Sequence, residues 1–331
     1  MRRTSARFRL GGVVAVVAAA ATVGGLTAWN GNASEPAAAE TLAVGTPEGY
    51  GAATTGGAGG DVVQVSSASE FEELVNSDGA LQIEVTGTIQ LDDMVRVGSD
   101  KTIVGSGTSG VISGGGLNIR QVDNVIVQNL TFTGAGDDAI NVDESTNVWI
   151  DHNDISNASD GATDIKHGAD NVTVSWNHYH DQDKNSLVGH SDDNASEDSG
   201  RLHVSYHHNW FDGTGQRNPR VRFGNPVHVY NNYYLNVGNA DVGSGEGYGV
   251  ASTQDAGVLV EGNFFEDTID PFHLGEGSSS EGSLVARDNE FVNSGEGQQG
   301  GSVSDPSYAY TLDPAADIPG IVTAGAGVGN L

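Results

Sequence analysis

Short runs of alternating apolar and polar residues recur along most of the chain. They read V-I-V-Q-N-L-T-F at 125–132, V-W-I-D-H-N-D-I at 148–155, V-T-V-S-W-N-H-Y at 172–179 and H-V-S-Y-H-H-N-W-F at 203–211. The series continues with V-H-V-Y-N-N-Y-Y at 227–234, V-L-V-E-G-N-F-F at 258–265 and V-A-R-D-N-E-F at 285–291. Each is a strand pattern, a polar turn and then an aromatic or aliphatic residue. Six of the seven carry an asparagine at the same place: Asn153, Asn177, Asn209, Asn232, Asn263 and Asn289, separated by 24, 32, 23, 31 and 26 residues. A period near 24 with variable insertions is the mark of a solenoid. No helical pattern fills the intervals, which argues against βαβ units. The fold class predicted is all-β, a right-handed parallel β-helix with coils stacked ~4.8 Å apart. The asparagines then form a ladder of side-chain amides, a better account of six matched positions than a general liking of Asn for turns.

A second family of strands lies between the first: D-A-I-N-V at 138–142, A-T-D-I-K at 162–166, S-L-V-G-H at 186–190 and R-V-R-F-G at 220–224. Asp138 to Ala162 and Ala162 to Ser186 are each 24 residues, which makes these segments neighbouring rungs of one sheet. Alternation points Ile140, Ile165 and Val221 inward. Asp164 with Lys166, and Arg220 with Arg222, then share the outer face, with Asp138 outward one rung away.

The ends differ from this repeat. Ser69 and Glu72 have capping-box spacing, and Phe71, Leu74 and Val75 share one face, which predicts a short helical lid over one end. The segment Y-A-Y-T-L-D-P-A-A at 308–316 leaves the pattern, and a short helix before Gly325 is expected to pack back along the solenoid or cover its far end. Residues 40–60 are rich in Gly, Ala and Thr and read as a linker or a wrapped arm ahead of a solenoid spanning 61–331. Residues 1–39 read as an export signal. Arg2, Arg3, Arg7 and Arg9 precede an apolar stretch from Gly11 to Leu26, with small-residue cleavage positions near Ala33 and Ala39. The stretch is short and glycine-interrupted for a membrane anchor, so a secreted, extracellular protein with no membrane attachment after processing is expected.

With those four arginines set aside, the chain holds ten Lys and Arg against 44 Asp and Glu. Six of the ten lie between Lys166 and Arg222. Nucleic acid is a poor partner for such a chain, whereas a divalent cation is a natural one. The absence of cysteine from 331 residues rules out a disulfide framework, so stability rests on a sizeable core. A capped solenoid of this kind is expected to be a monomer.

The chemistry gathers on the outer face of the second strand family. Asp160 and Asp164 flank Gly161 four residues apart, with Asp138 on the adjacent rung, and crowded hard oxygens suit Ca²⁺. The histidines lack a familiar zinc spacing. The stretch Gln216–Arg222 holds three arginines, Arg217, Arg220 and Arg222, which read as an anion grip. Pro219 interrupts the ladder, so Arg217 sits in the turn before the strand from which Arg222 projects.

Taken together, W-I-D-H at 149–152, D-G-A-T-D-I-K-H-G at 160–168, V-T-V-S at 172–175, D-K-N-S-L-V-G-H-S-D at 183–192 and Q-R-N-P-R-V-R-F-G at 216–224 resemble the pectate lyases of polysaccharide lyase family 1. The resemblance runs from about Gly60 to the terminal A-G-V-G at 326–329. It implies a parallel β-helix and calcium-dependent β-elimination of (1→4)-α-D-galacturonan (pectate), leaving a 4,5-unsaturated product. Carried over position by position, Arg217 matches the base that takes the C5 proton. Asp138, Asp160 and Asp164 match Ca²⁺ ligands. Lys184 and Arg222 match residues that grip the galacturonate carboxylate, and Lys166 is a looser match for that role. Arginine is an awkward base, since guanidinium groups titrate above 12; the resemblance, not the chemistry, supplies that role. The position two residues before Asp138, an aspartate in some members, is Gly136 here, and Asp137 is expected to face the other side. Three other functions compete with this reading. A pectin lyase acts on esterified chains without Ca²⁺, a polygalacturonase uses paired carboxylates and a water, and a non-catalytic β-helix would only bind polyanions.

Overall fold

A computed structural model describes residues 44–238 and 247–331. The expected export signal lies outside the described residues, as do residues 239–246. The described chain winds into a right-handed parallel β-helix whose coils contribute to three sheets of ten, nine and eight strands. One coil shows the plan. Thr146–Asp151 lies in the ten-stranded sheet, Asp154–Ser156 in the nine-stranded sheet and Thr163–Lys166 in the eight-stranded sheet. Asp170–Ser175 then pairs in parallel with Thr146–Asp151 and starts the next coil.

The bend between the first two strands explains the asparagine repeat. His152, Trp176, His208 and Asn231 take left-handed backbone conformations, with φ between 51° and 54°. Each reverses the chain so that the next residue, an asparagine, turns inward. Asn153 Nδ2 donates to Asn177 Oδ1 at 2.9 Å, Asn177 to Asn209 at 3.0 Å and Asn209 to Asn232 at 2.9 Å. The ladder continues to Asn263 and Asn289, both at 3.0 Å. Each acceptor oxygen also takes a backbone N–H from the neighbouring coil, as Asn209 Oδ1 does from Asn177. The amides thus satisfy the polar groups that a buried bend would otherwise leave unpaired. Side chains of like kind stack from coil to coil, buried in all but the last of the series below. Tyr179, Phe211, Tyr234, Phe265 and Phe291 follow one another with ring centroids 5.2, 4.8, 4.5 and 5.3 Å apart.

In the eight-stranded sheet the register is one residue shorter than the 24-residue spacing suggests. Ile140 pairs with Thr163, Ile165 with Val188 and Val188 with Val221. This register stacks Val142, Ile165, Val188 and Val221 in the core, each fully buried. A one-residue slip would turn such a set to the other face.

The helix at the N-terminal end runs Ala68–Val75 and buries Phe71 and Val75, as expected. Its N-cap is Ser67, not Ser69, and no side chain caps it; Glu72 is exposed, so no capping box forms. Residues 44–60 lie along the ten-stranded sheet, where Gly51 N–H donates to Thr173 Oγ1 at 2.9 Å and Gly56 N–H to Asn124 Oδ1 at 2.8 Å. The C-terminal helix Ile318–Gly325 packs on the flank against Tyr233 and Phe264, not over the far end. Beyond it the tail runs back along the solenoid, with Gly327 N–H bonded to Trp176 O and Gly329 N–H to Asn129 Oδ1. Among the described residues no helix is long and apolar enough to cross a membrane.

Candidate active site

The outer face of the eight-stranded sheet collects the charged residues singled out in the sequence. Thr163 and Ile165 turn inward, so Asp164 and Lys166 project outward from the same strand. Lys166 Nζ lies 2.8 Å from Asp138 Oδ2 and 3.4 Å from Asp164 Oδ2. Asp138 reaches this face from the turn before Ile140–Asp143, where strand alternation does not yet hold. Its other oxygen accepts the Gly161 N–H at 2.8 Å. Gly161 is required here: a Cβ would lie 2.2 Å from Asp164 Oδ1 and 2.9 Å from Asp138 Oδ1. Burial first, then the neighbouring Asp138 carboxylate, raises the pKa of Asp164. Burial alone would lower that of Lys166, but Asp164 and Asp138 together raise it.

A second group lies one turn earlier in each coil. Lys184 Nζ is 2.9 Å from Asp160 Oδ1, and Arg217 Nη1 is 3.8 Å from the same oxygen. Arg217 sits off the strand as anticipated, at φ 60°, just before a cis Asn218–Pro219 bond and the strand Arg220–Arg222. Its Nε is buried and has no hydrogen-bond partner among the described residues. Arg222 projects from that strand two rungs from Lys166, about 10 Å at one sheet spacing per rung.

Carboxylate oxygens of Asp137, Asp138 and Asp160 all lie within 4.8 Å of one another. Asp137 therefore does not face the other side as alternation suggested; like Asp138 it belongs to the turn, where the two-residue period is suspended. Three hard anionic oxygens from one turn and the rung beside it fit a divalent ion such as Ca²⁺ in chemistry and charge. Asp164 is close by, its Oδ1 accepting the Leu187 N–H at 3.0 Å and its Oδ2 facing Lys166.

Two contacts were not legible in the sequence. Arg222 Nε donates to Asp192 Oδ1 at 2.6 Å, and its Nη1 to Gly189 O at 3.2 Å. Arg220 Nη2 donates to Ser279 Oγ at 2.7 Å and to Glu276 O at 3.1 Å. Asp192 stands within the D-K-N-S-L-V-G-H-S-D segment, but no spacing rule links it to an arginine 30 residues on.

With the geometry in place, comparison with known proteins is direct. The family model for pectate lyase matches residues 15–316. Pectate lyase A of Aspergillus niger is 38% identical over 285 residues, covering 83% of this chain and 84% of that one. The chain belongs to the pectate lyase family. Within this family, pectate lyase A of Emericella nidulans is 38% identical over 309 residues, 90% of each chain. The solved pectate lyase Bsp165PelA from Bacillus sp. N165, in complex with trigalacturonate, superposes with a TM-score of 0.76 at 30% identity, covering 86% of this chain and 99% of that one. The chain is accordingly a pectate lyase-family enzyme built on the parallel β-helix, and its acidic and basic clusters share one sheet face.

Proposed function

We propose that this enzyme is a secreted, calcium-dependent pectate lyase that cleaves de-esterified (1→4)-α-D-galacturonan by β-elimination on the outer face of the eight-stranded sheet. The observation that carries this is the joint placing of Asp137, Asp138 and Asp160 beside Lys184 and Arg217. An anionic sugar and a divalent cation are the two partners such a surface can hold at once. Asp138 and Asp160, with Asp137 and the nearby Asp164, would hold Ca²⁺. When bound, the ion supplies positive charge against the galacturonate carboxylate.

The chain's own residues account for the remaining work. Lys184 and Arg222 bind the carboxylate and stabilise the charge that develops beside it as C5 loses its proton. Arg217, acting as a neutral guanidine, takes that proton; the C5–H electrons form the C4=C5 bond as the C4–O4 glycosidic bond breaks, the departing oxygen takes a proton from solvent, and the product keeps a 4,5-unsaturated end. Lys166, already paired with Asp138 and Asp164, offsets the acidic cluster before it grips any sugar. The acidic trio counts against a pectin lyase, because an esterified substrate has no carboxylate for a bridging cation.

The experiment is ultraviolet absorbance of the unsaturated product on polygalacturonate, with Ca²⁺ and with chelator. Absorbance should rise with Ca²⁺, stop with chelator and return when Ca²⁺ is restored. No rise with Ca²⁺ present would overturn the lyase reading, and an unchanged rate in chelator would overturn the calcium requirement. Export is tested by recovering the processed chain from the culture medium of its host; retention of the unprocessed chain in the cells would refute it.

A further inference from the structure

The nine-stranded sheet holds a group of side chains that the reaction does not use. His178–His180 is a three-residue strand with Tyr179 fully buried, so His178 and His180 both project outward. Their ring centroids are 4.7 Å apart. Asp154 lies on the adjacent strand, in register with His178. Its Oδ2 is 3.0 Å from His178 Nδ1 and its Oδ1 is 3.1 Å from His180 Nε2.

We infer that Asp154, His178 and His180 form a second metal site, taking a divalent transition ion of the zinc class and separate from the all-oxygen cluster at Asp137, Asp138 and Asp160. One donor atom from each residue falls within 4.8 Å of the other two. Bonds of about 2.0–2.1 Å to a tetrahedral zinc put neighbouring donors roughly 3.3 Å apart. Asp154 stands 3.0 Å from His178 Nδ1 through one oxygen and 3.1 Å from His180 Nε2 through the other, so an ion held by a single Asp154 oxygen also draws the imidazoles toward it. Two imidazoles and a carboxylate suit zinc, nickel or copper better than Ca²⁺.

The surroundings have the form of a metal's outer shell. His178 turns its other nitrogen to Asp212 Oδ2 at 3.4 Å, and His180 turns its other nitrogen to Asp181 Oδ2 at 2.8 Å. A carboxylate on the outer nitrogen fixes the tautomer of a ligating imidazole and raises its basicity. Trp210 stacks on His178 at 4.2 Å and fixes the plane of that ring. All three candidate ligands are partly exposed, so an ion can enter from solvent.

The test uses the untagged full chain, stripped with chelator and then held in millimolar Ca²⁺ to fill the oxygen cluster. Calorimetric titration with Zn²⁺ should show one equivalent bound, with a dissociation constant at or below the micromolar range. Co²⁺ in its place should give a visible d–d absorption band from the wild-type chain. His178→Ala and His180→Ala should each weaken Zn²⁺ binding at least about tenfold, and Asp137→Asn should leave it unchanged. Failure of the wild-type chain to take up Zn²⁺ or Co²⁺ saturably would overturn the site. Undiminished binding by both histidine variants would overturn it equally. Where a variant fails to fold, the wild-type Co²⁺ spectrum still decides whether the site exists.

Discussion

Arg222 and Asp192 form a short ion pair, 2.6 Å from Nε to Oδ1, that ties a loop to the sheet at the edge of the candidate active site. The same carboxylate lies 2.7 and 2.9 Å from Ser279 Oγ, and Ser279 in turn accepts from Arg220. Two loops, residues 189–194 and 275–281, are therefore joined across the outer face by one carboxylate and one hydroxyl. The pair also fixes the plane of a guanidinium that, among the described residues, otherwise hydrogen-bonds through Gly189 O. In the proposed role of carboxylate clamp, Arg222 would then come to substrate already oriented, which lowers the ordering cost of binding.

Removing Asp192 should therefore harm binding more than chemistry. Asp192→Ala is expected to raise KM for polygalacturonate about tenfold, near 1.4 kcal/mol, with kcat within about threefold of wild type. Asp192→Asn should lie between, since its amide oxygen still accepts from Arg222. Steady-state kinetics on the three proteins checks this. A fall in kcat at unchanged KM would show that Asp192 does not act by orienting a binding group.

Arg217 is held differently. It lies off the strand at φ 60°, its Nη1 3.8 Å from Asp160 and its buried Nε without a hydrogen-bond partner among the described residues. Lysine keeps the charge but places one ammonium where a planar guanidinium had several donors. Arg217→Lys should lower kcat by roughly 10³-fold, within the range set by loss of a general base, while KM changes less than about threefold. Near-normal turnover of the lysine variant would refute the assigned role.

The repeat made the solenoid legible because each coil must bury the same bend, and Asn153 through Asn289 mark it. The inward set Ile140, Ile165 and Val221 was readable for the same reason. Reading failed where strand alternation stops. Asp137 precedes the first paired residue of its strand, so a two-residue period says nothing of its direction. The 24-residue count across the eight-stranded sheet missed by one because turn length, not strand length, sets that register. Asp192 was hidden because its partner is fixed by the stacking of two coils and a loop contact, neither of which leaves a local pattern.

Glu261 gives a test in pH. It is 2% exposed, and His228 Nε2 and Arg287 Nε both contact its carboxylate. Burial alone would raise its pKa, but hydrogen bonds from His228, Tyr310 and Arg287 outweigh that and bring it from 4.5 to about 2. A carboxylate depressed on folding stabilises the protein above its unfolded pKa, and that contribution fades as pH falls toward the folded value. Glu261→Gln should melt below wild type at neutral pH, and the gap should narrow as pH falls from about 4.5 toward 2. Calorimetric melting across that range checks it; a gap that is constant or widens on acidification would contradict the linkage.

The asparagine ladder should be the costliest place to cut the fold per atom removed. Asn209 Oδ1 accepts both the backbone N–H and the Nδ2 of Asn177, and its own Nδ2 donates to Val174 O and to Asn232 Oδ1. Alanine here strands the two Asn177 donors on one side and removes a bond from Val174 O and from Asn232 Oδ1 on the other, where Asn232 Oδ1 keeps only the backbone N–H of residue 209, all within a bend sealed from water. A buried polar group left unpaired costs about 1–3 kcal/mol, so Asn209→Ala should destabilise by at least ~3 kcal/mol even after partial relaxation. Asn289, partly exposed at the last described rung of the ladder, bonds a neighbour on one side only, so its loss should cost less than half as much. Urea unfolding of both variants, followed by intrinsic fluorescence, compares them directly. Equal midpoints would mean that the ladder records a preference for asparagine at the bend and contributes little through its amide chain.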